Sequence, residues 1–401
     1  MSKTRRRGQT AGYSRCPKCG TPNPNLAYLT HCVSCGASRA SFVEMAAEPR
    51  TSALNGVEPA ARGKKLLLRL TIVYALVVVW VLTLIQWFGA IWWPAALLML
   101  GPRWVWLLPW VPLAVVWFWK GRRRAVGIVL AVGLVITLWP LMGFHLPVSP
   151  PWPISVPGGT TLRVLSLNRG GRPIDAARLI RYIDRQLIDV LCFQEMGRDP
   201  VLDAFLAKGW HVEKDGYLAS RFPIVEEIPP PPEQNETQER YTMSVRRLKV
   251  RHPGGVEFVV ASVHMPTMSR GLNGGLGVGF RPERFSAHLS WWSKEFGRLV
   301  DTLSTRQEVP LLVAGDLNMP ADHSLLRAIR RIGVFQFAFE ERGLGYGYTM
   351  PSSLPWARID HVLASPEWVV TRCWVGPGFG SDHLSVVAEV ALPSDYVAPK
   401  Q

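Results

Sequence analysis

Acidic residues are scarce in the first part of this chain. Residues 1–157 contain 17 lysines and arginines but only 3 aspartates and glutamates, a net charge of +14. Residues 158–401 contain the other 28 basic and 27 acidic side chains, a net charge of +1. The C-terminal part therefore lacks the basic stripe of a high-affinity nucleic-acid-binding domain, and its net charge gives no support for such binding.

Other features are missing as well. No glycine-rich phosphate loop opens a helix, which argues against a nucleotide-binding doubly wound fold. No internal repeat is found in the 401 residues. The first apolar stretch begins too late and is too long for a signal peptide, so we expect none.

Cysteine is rare, and four of the six cysteines lie close together. They form two CxxCG units, Cys16 with Cys19 and Cys32 with Cys35, separated by twelve residues. Four thiolates at this spacing suit a tetrahedral metal, and each glycine relieves the tight turn at the metal. We therefore predict a zinc ribbon with a structural Zn²⁺ over residues 1–40. Two disulfides or four free thiols are the alternative.

Long apolar stretches predict a membrane region over residues 66–146, after a polar linker over residues 41–65. We predict three transmembrane helices in this region, at about 66–88, 103–119 and 125–146. The middle part is interrupted by four prolines and is rich in tryptophan, as expected near a membrane interface. The sequence therefore predicts an integral membrane protein.

Basic clusters set the expected orientation. Arg62–Lys65 precedes the first span and Lys120–Arg124 separates the second span from the third. The positive-inside rule puts both clusters in the cytoplasm, so the third span would carry the C-terminal part out of it. The zinc ribbon would stay in the reducing cytoplasm, where thiolates remain free for metal and where a protein partner could bind it.

After a Pro-rich linker over residues 147–157, residues 158–397 have the composition of a soluble globular domain. Eight stretches rich in Val, Ile and Leu predict strands, and three amphipathic stretches predict helices. One of the eight is a continuous strand over Tyr217–Val225. Because strands outnumber helices, we predict stacked sheets flanked by helices.

Polar side chains recur where the predicted strands end. Each alone has an ordinary explanation as a turn or cap residue, but their recurrence is hard to produce by turn chemistry alone. Carboxylates and an amide suit a hard cation such as Mg²⁺, and histidines suit proton transfer near neutral pH. The residues at these positions are Asn168, Glu195, His264, Asp316, Asn318, Asp360, Asp382 and His383.

The motifs LSLN, DVLCFQE, SRFPI, SVHMP, AGDLN, RIDHVL and SDH occur in this order between about Thr161 and Leu392. Together they resemble the endonuclease/exonuclease/phosphatase superfamily, which includes DNase I-like nucleases, abasic-site endonucleases, neutral sphingomyelinases and inositol polyphosphate phosphatases. The resemblance implies an α/β fold for residues 158–397, a four-layer α-β-β-α sandwich of two mixed sheets. It also implies an enzyme that uses Mg²⁺ or Mn²⁺ to hydrolyse phosphoesters.

By position, the resemblance assigns a role to each strand-end residue. Glu195, helped by Asn168, would hold the divalent metal, and Asp382 would contribute to metal or metal-water binding. Asp316 would orient and polarise the attacking water. Asn318 would bind a phosphate oxygen.

The resemblance also assigns the histidines and two arginines. His383, positioned by Asp360, would bind the scissile phosphate or shuttle a proton. His264 matches the histidine of the DNase and sphingomyelinase branches, where abasic-site endonucleases carry an asparagine, and so favours those branches. Arg240 falls where relatives often place an arginine or tyrosine near the phosphate. Arg270 lies in a glycine-rich loop after His264, where it would contact substrate.

Four further residues are left open by the sequence. Arg281, at the end of the same loop, is an alternative to Arg270 for substrate contact. His361 stands where the family often has tyrosine, and packing is the alternative to a direct role. Cys192 is predicted to be a buried packing residue and Cys373 to be unpaired, with a disulfide between the two as the alternative.

The predicted protein is thus a membrane-anchored, divalent-metal-dependent phosphoesterase outside the cytoplasm. Its expected substrate is a phosphodiester in nucleic acid or in a phospholipid headgroup. One alternative is a phosphomonoesterase that acts on a phosphorylated lipid or sugar. Another is a non-catalytic membrane scaffold or sensor, against which the complete set of metal and histidine residues argues.

Overall fold

The computed structural model describes residues 13–16, 18–24, 30–36, 38, 43–44, 57–120, 122–147, 154–197, 199–229, 243–272, 280–304 and 309–396. Residues 45–56 of the first expected linker and 148–153 of the second lie outside these ranges. The chain divides into two compact units, Met1–Leu66 and Leu67–Gln401.

The first unit contains a small antiparallel sheet in the order β2-β1-β3. Its strands are β1 Tyr13–Arg15, β2 Pro22–Pro24 and β3 Val43–Glu44. Strand β2 carries two prolines, which have no N–H to donate, and it accordingly lies at an edge of the sheet.

Four apolar helices follow along the chain: α1 Val57–Phe88, α2 Trp93–Leu100, α3 Trp110–Trp119 and α4 Arg124–Ile136. Among the described residues, Lys65–Phe88 and Arg124–Leu141 are each long and apolar enough to cross a membrane. Helix α2 and the stretch Arg103–Trp119 also qualify together, but as a pair bent by 88°. The chain therefore has two candidate spans, or three if the bent pair is one span.

The middle span is not the straight helix that the sequence suggests for residues 103–119. The stretch begins as a 3₁₀ turn, Arg103–Leu107, and becomes α-helical only at Trp110. Pro102 and Pro109 stand just before the turn and just before the helix, where a missing backbone N–H does least harm. We refer to residues 67–143 as the membrane segment.

The rest of the second unit is a sandwich of strands and helices. Its strands are β4 Thr160–Asn168, β5 Val190–Gln194, β6 His211–Val212, β7 Leu218–Ser220, β8 Ile224–Ile228, β9 Ser244–Arg251, β10 Glu257–His264, β11 Leu311–Asp316, β12 Gln336–Phe337, β13 Asp360–Ala364, β14 Val369–Val375 and β15 Val386–Leu392. Its helices are α5 Ala176–Gln186, α6 Pro200–Ala207, α7 Pro282–Ser304, α8 Ser324–Arg331 and α9 Ala338–Arg342.

The strands form two six-stranded sheets, β12-β13-β11-β10-β9-β8 and β14-β15-β4-β5-β7-β6. Each sheet is mixed, with one central parallel pair, β10 with β11 and β4 with β5. Val164 and Cys192 of one sheet share a core with Phe258 and Ala314 of the other. Helices α5 and α6 cover one outer face, and α7 and α8 cover the other. The expected four-layer α-β-β-α sandwich is confirmed.

One expected strand, Tyr217–Val225, is two strands that belong to different sheets. Strand β7 ends at Ser220 in one sheet, and β8 begins at Ile224 in the other. Between them the Phe222 N–H donates to the Ser220 Oγ at 2.9 Å, and Pro223 has no N–H for a ladder. Strand β14 and helix α6 are not anticipated by the sequence patterns.

The membrane segment packs directly on the sandwich. Ile85 and Met99 share one buried core with Trp292 of α7. The rings of Trp93 and Phe280 pack in a tilted arrangement with their centroids 5.3 Å apart. The two parts form one body in this structure. A fragment without the membrane segment would therefore expose this apolar core to water.

Candidate active site

The carboxyl ends of the two parallel strand pairs meet at one edge of the sandwich. Asn168 at the end of β4 lies in register with Gln194 of β5, and His264 at the end of β10 lies in register with Asp316 of β11. Asp360, the first residue of β13, pairs with Asp316 from the other side. Polar residues from both sheets therefore collect at this edge.

These strand ends surround a cavity of about 320 Å³. Asn168 and Asp360 lie directly behind its wall and are 0% and 1% exposed. Most of the wall residues are ones that the sequence singles out. The wall consists of Gly170, Glu195, His264, Pro266, Thr267, Arg270, Asp316, Asn318, Met350, Asp382 and His383.

Asp316 is the buried centre of the site. Its Oδ2 accepts hydrogen bonds from Asn168 Nδ2 at 2.9 Å and from Asn318 Nδ2 at 3.1 Å. Its Oδ1 accepts from the backbone N–H of Asn318 at 2.8 Å. Burial, and next the charge of Asp360, raise the pKa of Asp316 to about 7. The carboxyl group can therefore exchange a proton near neutral pH.

Two side chains of the wall sit on left-handed backbone. Glu195 has φ +53° and Asn318 has φ +52°. Residues with a side chain adopt this region at a cost, and such strain concentrates at functional sites. Asn318 is held there by a hydrogen bond from its Nδ2 to the carbonyl of Met265 at 2.7 Å. Both side chains line the cavity.

His383 is oriented by a carboxylate behind it. Its Nδ1 lies 2.9 Å and 3.2 Å from the two oxygens of Asp360, so its Nε2 faces the cavity. Burial opposes a charge on His383, but the carboxylates of Asp360 and Asp316 outweigh it and raise its pKa to about 10. The ring therefore carries a positive charge beside the cavity.

His264 also lies beside Asp316. Its Nε2 is 3.5 Å from Glu195 Oε1 and 3.8 Å from Asp316 Oδ2. Burial lowers the pKa of His264 below its ordinary value, against the opposing effect of the Glu195 charge. The site thus combines a charged histidine with one that favours the neutral form.

The residues present fit a divalent metal. Glu195 and Asp382 turn carboxylates to the cavity, and Asp382 Oδ1 is a buried oxygen with no hydrogen-bond partner. A Cβ at Gly170 would lie 1.9 Å from that oxygen, so only glycine leaves it room. Carboxylate oxygens without protein donors are the ligands that a hard cation prefers.

Asn168 is arranged differently from the other expected metal ligands. Its Oδ1 accepts the N–H of Gly170 at 2.8 Å, and its Nδ2 donates to Glu195 at 3.3 Å and to Asp316. In this arrangement Asn168 joins the carboxylates of Glu195 and Asp316, and its Oδ1 keeps one lone pair for a metal. Asp316, Asp360 and His383 also bring ligand atoms within 4.8 Å of one another, but the hydrogen bond between the last two accounts for this closeness.

The remaining expected residues divide between the cavity and other places. Arg270 lies in the cavity wall, whereas Arg281 is exposed just before α7 and does not line the cavity. Arg240 lies outside the described residues. Cys192 and Cys373 are both buried free thiols, so the alternative of a disulfide between them is not realised.

His361 faces away from the cavity. It is 3% exposed, and its Nε2 lies 3.1 Å from the carbonyl of Met319. Its contacts are those of a packing residue that supports the loop after β11.

Two residues beside the cavity are missed by the sequence patterns. Ser381 Oγ donates to the carbonyl of Asn168 at 2.6 Å and accepts the N–H of His383 at 2.9 Å, which ties the loop before β15 to the end of β4 in the same sheet. Arg172 Nη2 lies 3.5 Å from Asp382 at the exposed rim. The available signals were the serine of the SDH motif and the stretch NRGGR directly after the first strand of the sandwich.

The four N-terminal cysteines converge on one point. The Sγ atoms of Cys16 and Cys35, and those of Cys19 and Cys32, lie 3.6 Å apart, and all four lie within 4.8 Å of one another. A tetrahedral zinc at about 2.3 Å from each sulfur separates the sulfurs by roughly 3.7 Å, whereas a disulfide needs about 2.05 Å. The glycine that ends each CxxCG unit has φ +74° or +72°, as a tight turn requires. The cluster fits zinc.

Residues 160–383 match the model of the Endonuclease/Exonuclease/phosphatase family. The match covers more than half of the chain. The chain belongs to this family. The expected resemblance is thereby confirmed, and the sandwich is the domain of a family of hydrolytic enzymes that typically use a divalent metal.

Solved structures of the endonuclease/exonuclease/phosphatase family resemble this chain at low identity. A family member from Bacteroides thetaiotaomicron is 20% identical, with 58% of this chain and 98% of that chain covered and a TM-score of 0.42. A mannosyl-6-phosphatase from the same organism is 19% identical, with 57% and 99% covered and a TM-score of 0.40. The human Nocturnin catalytic domain is 17% identical, with 58% and 93% covered and a TM-score of 0.38. No curated protein matches the chain.

The cysteine cluster predicts a zinc content. The purified full-length chain should contain one zinc per molecule by elemental analysis, and Cys32→Ser should lose it because three thiolates hold the metal less tightly. Cys373→Ser, which removes a buried thiol outside the cluster, should keep the zinc. Equal zinc in the two variants would contradict the assignment.

The close approach of Gly170 to Asp382 predicts the effect of one methyl group. Gly170→Ala should weaken Mn²⁺ binding at the cavity by about tenfold or more, because the new Cβ displaces the unpartnered carboxylate oxygen. Titration calorimetry of the zinc-loaded, otherwise metal-free protein measures this. Gly209→Ala is the matched control, since Gly209 has φ +80° but nothing within 4 Å of the added Cβ. The assignment fails if both variants bind Mn²⁺ equally well.

Proposed function

We propose that this hydrolase is anchored in a membrane and cleaves phosphodiester bonds outside the cytoplasm with a divalent metal, Mg²⁺ or Mn²⁺. Its structural zinc would sit in the N-terminal ribbon. The observation that carries the proposal is the convergence of Glu195, Asp316, His264 and His383 on one cavity. A scaffold would not need a raised carboxyl pKa, a charged histidine and an unpartnered carboxylate oxygen in one place.

Each group of the cavity suits one part of the hydrolysis. Glu195 and Asp382 would hold the metal, which when bound supplies positive charge for the anionic transition state. Asp316, with its raised pKa, would accept a proton from the water whose oxygen forms the new bond to phosphorus. Asn318, whose Nδ2 donates to Asp316 and to the carbonyl of Met265, would turn the hydrogen bond that it gives Asp316 towards a phosphate oxygen.

The two histidines would also contact the phosphate. Asp360 fixes the His383 ring, and the charged Nε2–H would bind a non-bridging oxygen or give its proton to the leaving oxygen as the bond to phosphorus breaks. His264, which favours the neutral form, would hydrogen-bond the phosphate beside Glu195. Arg240 and Arg270 would contact the rest of the substrate.

The charges at the cavity suit a diester. Among the described wall residues, Glu195, Asp316 and Asp382 carry carboxylates, while Arg270 and the charged ring of His383 are cationic. With three negative charges, two positive charges and two more from a bound divalent metal, the net charge would be about +1. A diester carries one negative charge, whereas a monoester carries up to two near neutral pH, so the diester would be the better match.

Among diesters, a phospholipid headgroup is favoured over nucleic acid. The near-neutral sandwich lacks a basic stripe for a polyanion. Met268 lies between the wall residues Thr267 and Arg270, and it belongs to the same buried core as Ile85 and Met99 of the membrane segment. The cavity would therefore lie near the end of the membrane segment that packs on the sandwich, close to lipid headgroups.

Contacts within the membrane segment support three crossings. Helices α1 and α4 run side by side in the same direction: they share a small apolar cluster near their N-terminal ends, and further along Tyr74 Oη lies 3.0 Å from Thr137 Oγ1. Ile85 and Leu141, near the other ends, both join the core shared with the sandwich. Both helices therefore arrive at the sandwich.

Between them the chain has to return, and α3 provides the return. Tyr74 Oη donates to the carbonyl of Trp106 at 3.1 Å, and Trp117 Nε1 donates to the carbonyl of Arg123 at 2.9 Å, so α3 leads away from the sandwich. Three passes are an odd number, which separates the two ends of the segment across the membrane. With Lys120–Arg124 in the cytoplasm, the sandwich would lie outside.

The activity predicts a metal-dependent loss in one variant. The full-length protein in detergent micelles should hydrolyse a diester with Mg²⁺ or Mn²⁺ and lose activity with EDTA. Asp316→Asn should lower kcat at least about a hundredfold, because it removes the proton acceptor. The substrates are bis(p-nitrophenyl) phosphate, p-nitrophenyl phosphate, plasmid DNA, RNA, sphingomyelin and phosphoinositides.

The full chain is used because a fragment would expose the shared core. Glu226→Gln, an exposed carboxylate on β8, is the control and should keep full activity. Faster turnover of the monoester than of the diester would overturn the diester assignment. Equal activity of Asp316→Asn and Glu226→Gln would overturn the proposed site.

The orientation predicts which parts of the chain are reachable from outside. An epitope tag after Gln401 should bind antibody added outside cells whose cytoplasmic membrane is intact and reachable by the antibody. The same tag inserted after Gly121 should bind only after the membrane is permeabilised, because that position lies in the basic cluster expected on the cytoplasmic side. Binding of both tags under the same condition would contradict an odd number of crossings.

A further inference from the structure

An ion pair joins the membrane segment to the loop that carries Asn318. We call residues 317–323 the catalytic loop. We propose that Arg103 of the membrane segment is a positioning residue for the active site: through Asp322 it holds the catalytic loop, and with it Asn318, in place. The proposal rests on the proposed function for its kinetic readout.

The geometry of the pair is bidentate. Arg103 Nη1 donates to Asp322 Oδ2 at 2.7 Å, and Nη2 donates to Asp322 Oδ1 at 2.8 Å. The guanidinium also donates to the carbonyls of Leu141 at 3.1 Å and Met99 at 3.5 Å. Arg103 is 6% exposed. Two parallel hydrogen bonds between the buried guanidinium and the Asp322 carboxylate, whose side chain is 20% exposed, fix both direction and distance, unlike a surface pair.

Asp322 is well placed to control the catalytic loop. It follows Asn318 by four residues and lies near the end of the loop. The start of the loop is fixed by the N–H of Leu317, which donates to the carbonyl just before β13 at 3.0 Å. The middle is supported by His361, whose ring contacts the carbonyl of Met319. The far end of the loop is bound to the membrane segment through Asp322.

Packing alone does not hold this end of the loop. A cavity of about 50 Å³ lies beside the pair, between Met99 and Met142 of the membrane segment and Pro320 and Tyr348 of the sandwich. The loop therefore has space to shift when the ion pair is removed. The directional hydrogen bonds of Arg103 therefore help to set its position, together with the buried side chain of Met319 and the hydrogen bond from Arg327 to the carbonyl of Gln86.

A shift of the catalytic loop would reach the reacting groups. Asn318 uses one Nδ2 group to bind Asp316 at 3.1 Å and the carbonyl of Met265 at 2.7 Å. Both hydrogen bonds depend on the strained backbone of Asn318 staying where it is. Because catalytic groups lose efficiency with displacements of an ångström or less, the effect should appear in kcat rather than in substrate affinity.

The test compares two substitutions at the same interface in the full-length protein. With bis(p-nitrophenyl) phosphate and Mn²⁺, Arg103→Met should lower kcat by about tenfold or more and change KM less than about twofold. Tyr348→Phe removes the hydrogen bond to the carbonyl of Met142 at the same interface and should leave kcat within about twofold. Equal losses in the two variants, or none in Arg103→Met, would overturn the proposal.

A double variant separates positioning from stability. Arg103→Met leaves the Asp322 carboxylate at the interface without its arginine partner, and this can destabilise the protein. Arg103→Met combined with Asp322→Leu leaves no buried charge and should restore the unfolding temperature, while kcat stays low because the hydrogen bonds to the loop are still missing. Full recovery of kcat in the double variant would show that the pair does not position the loop.

Hydrogen exchange keeps the test independent of activity. In Arg103→Met, the amides of the catalytic loop should exchange faster, while those of Val190–Gln194 on the other sheet stay unchanged. A wild-type protein that hydrolyses no phosphoester would overturn the proposed function, yet this comparison would still decide the role of Arg103. Unchanged exchange, or an equal rise throughout the sandwich, would overturn that role.

Discussion

One hydrogen bond between the two sheets holds the site together. Asn168 ends a strand of one sheet and Asp316 ends a strand of the other, and their side chains meet at 2.9 Å. A carboxylate that is 1% exposed is costly, by several kcal/mol, unless donors surround it. Asp316 can therefore stay buried only while the sheets keep their relative position. The packing between the sheets, with Cys192 and Phe258 in its core, thus determines the geometry at the edge.

The sequence predicts the fold and the members of the site better than it predicts their partners. Polar residues after apolar strands could be recognised because strand ends are a local pattern, and parallel pairs bring such ends together. Which atom faces which depends on packing between distant parts of the chain. Asn168 was expected to help Glu195 hold the metal, and the structure adds a contact that the sequence does not show, from its donor group to Asp316, 148 residues away. The division of Tyr217–Val225 between two sheets was hidden for the same reason, since only the sandwich decides where β7 stops.

The two metal-binding candidates show the same contrast. The four cysteines are brought together by two local turns, each closed by a glycine with positive φ, so their spacing alone indicates zinc. At the edge of the sandwich, the unpartnered oxygen of Asp382 and the room left by Gly170 come from two loops that are far apart in sequence. The spacing of residues along the sequence does not predict that arrangement. The fold brings the carboxylate oxygen of Asp382 and Gly170 together.

The membrane segment extends this argument to the whole protein. Arg103 stands in a stretch that reads as part of a span, where a lone charge is costly, and its partner Asp322 lies 219 residues further on. The stretch bends by 88° between Leu100 and Arg103, where Pro102 lies. At this bend Arg103 donates hydrogen bonds to Asp322 and to the carbonyl of Leu141. Among the described residues, neither charge has a second bidentate partner within its own part of the structure. The segment that is apolar enough to cross a membrane is therefore also bound, through this pair, to the loop that carries Asn318.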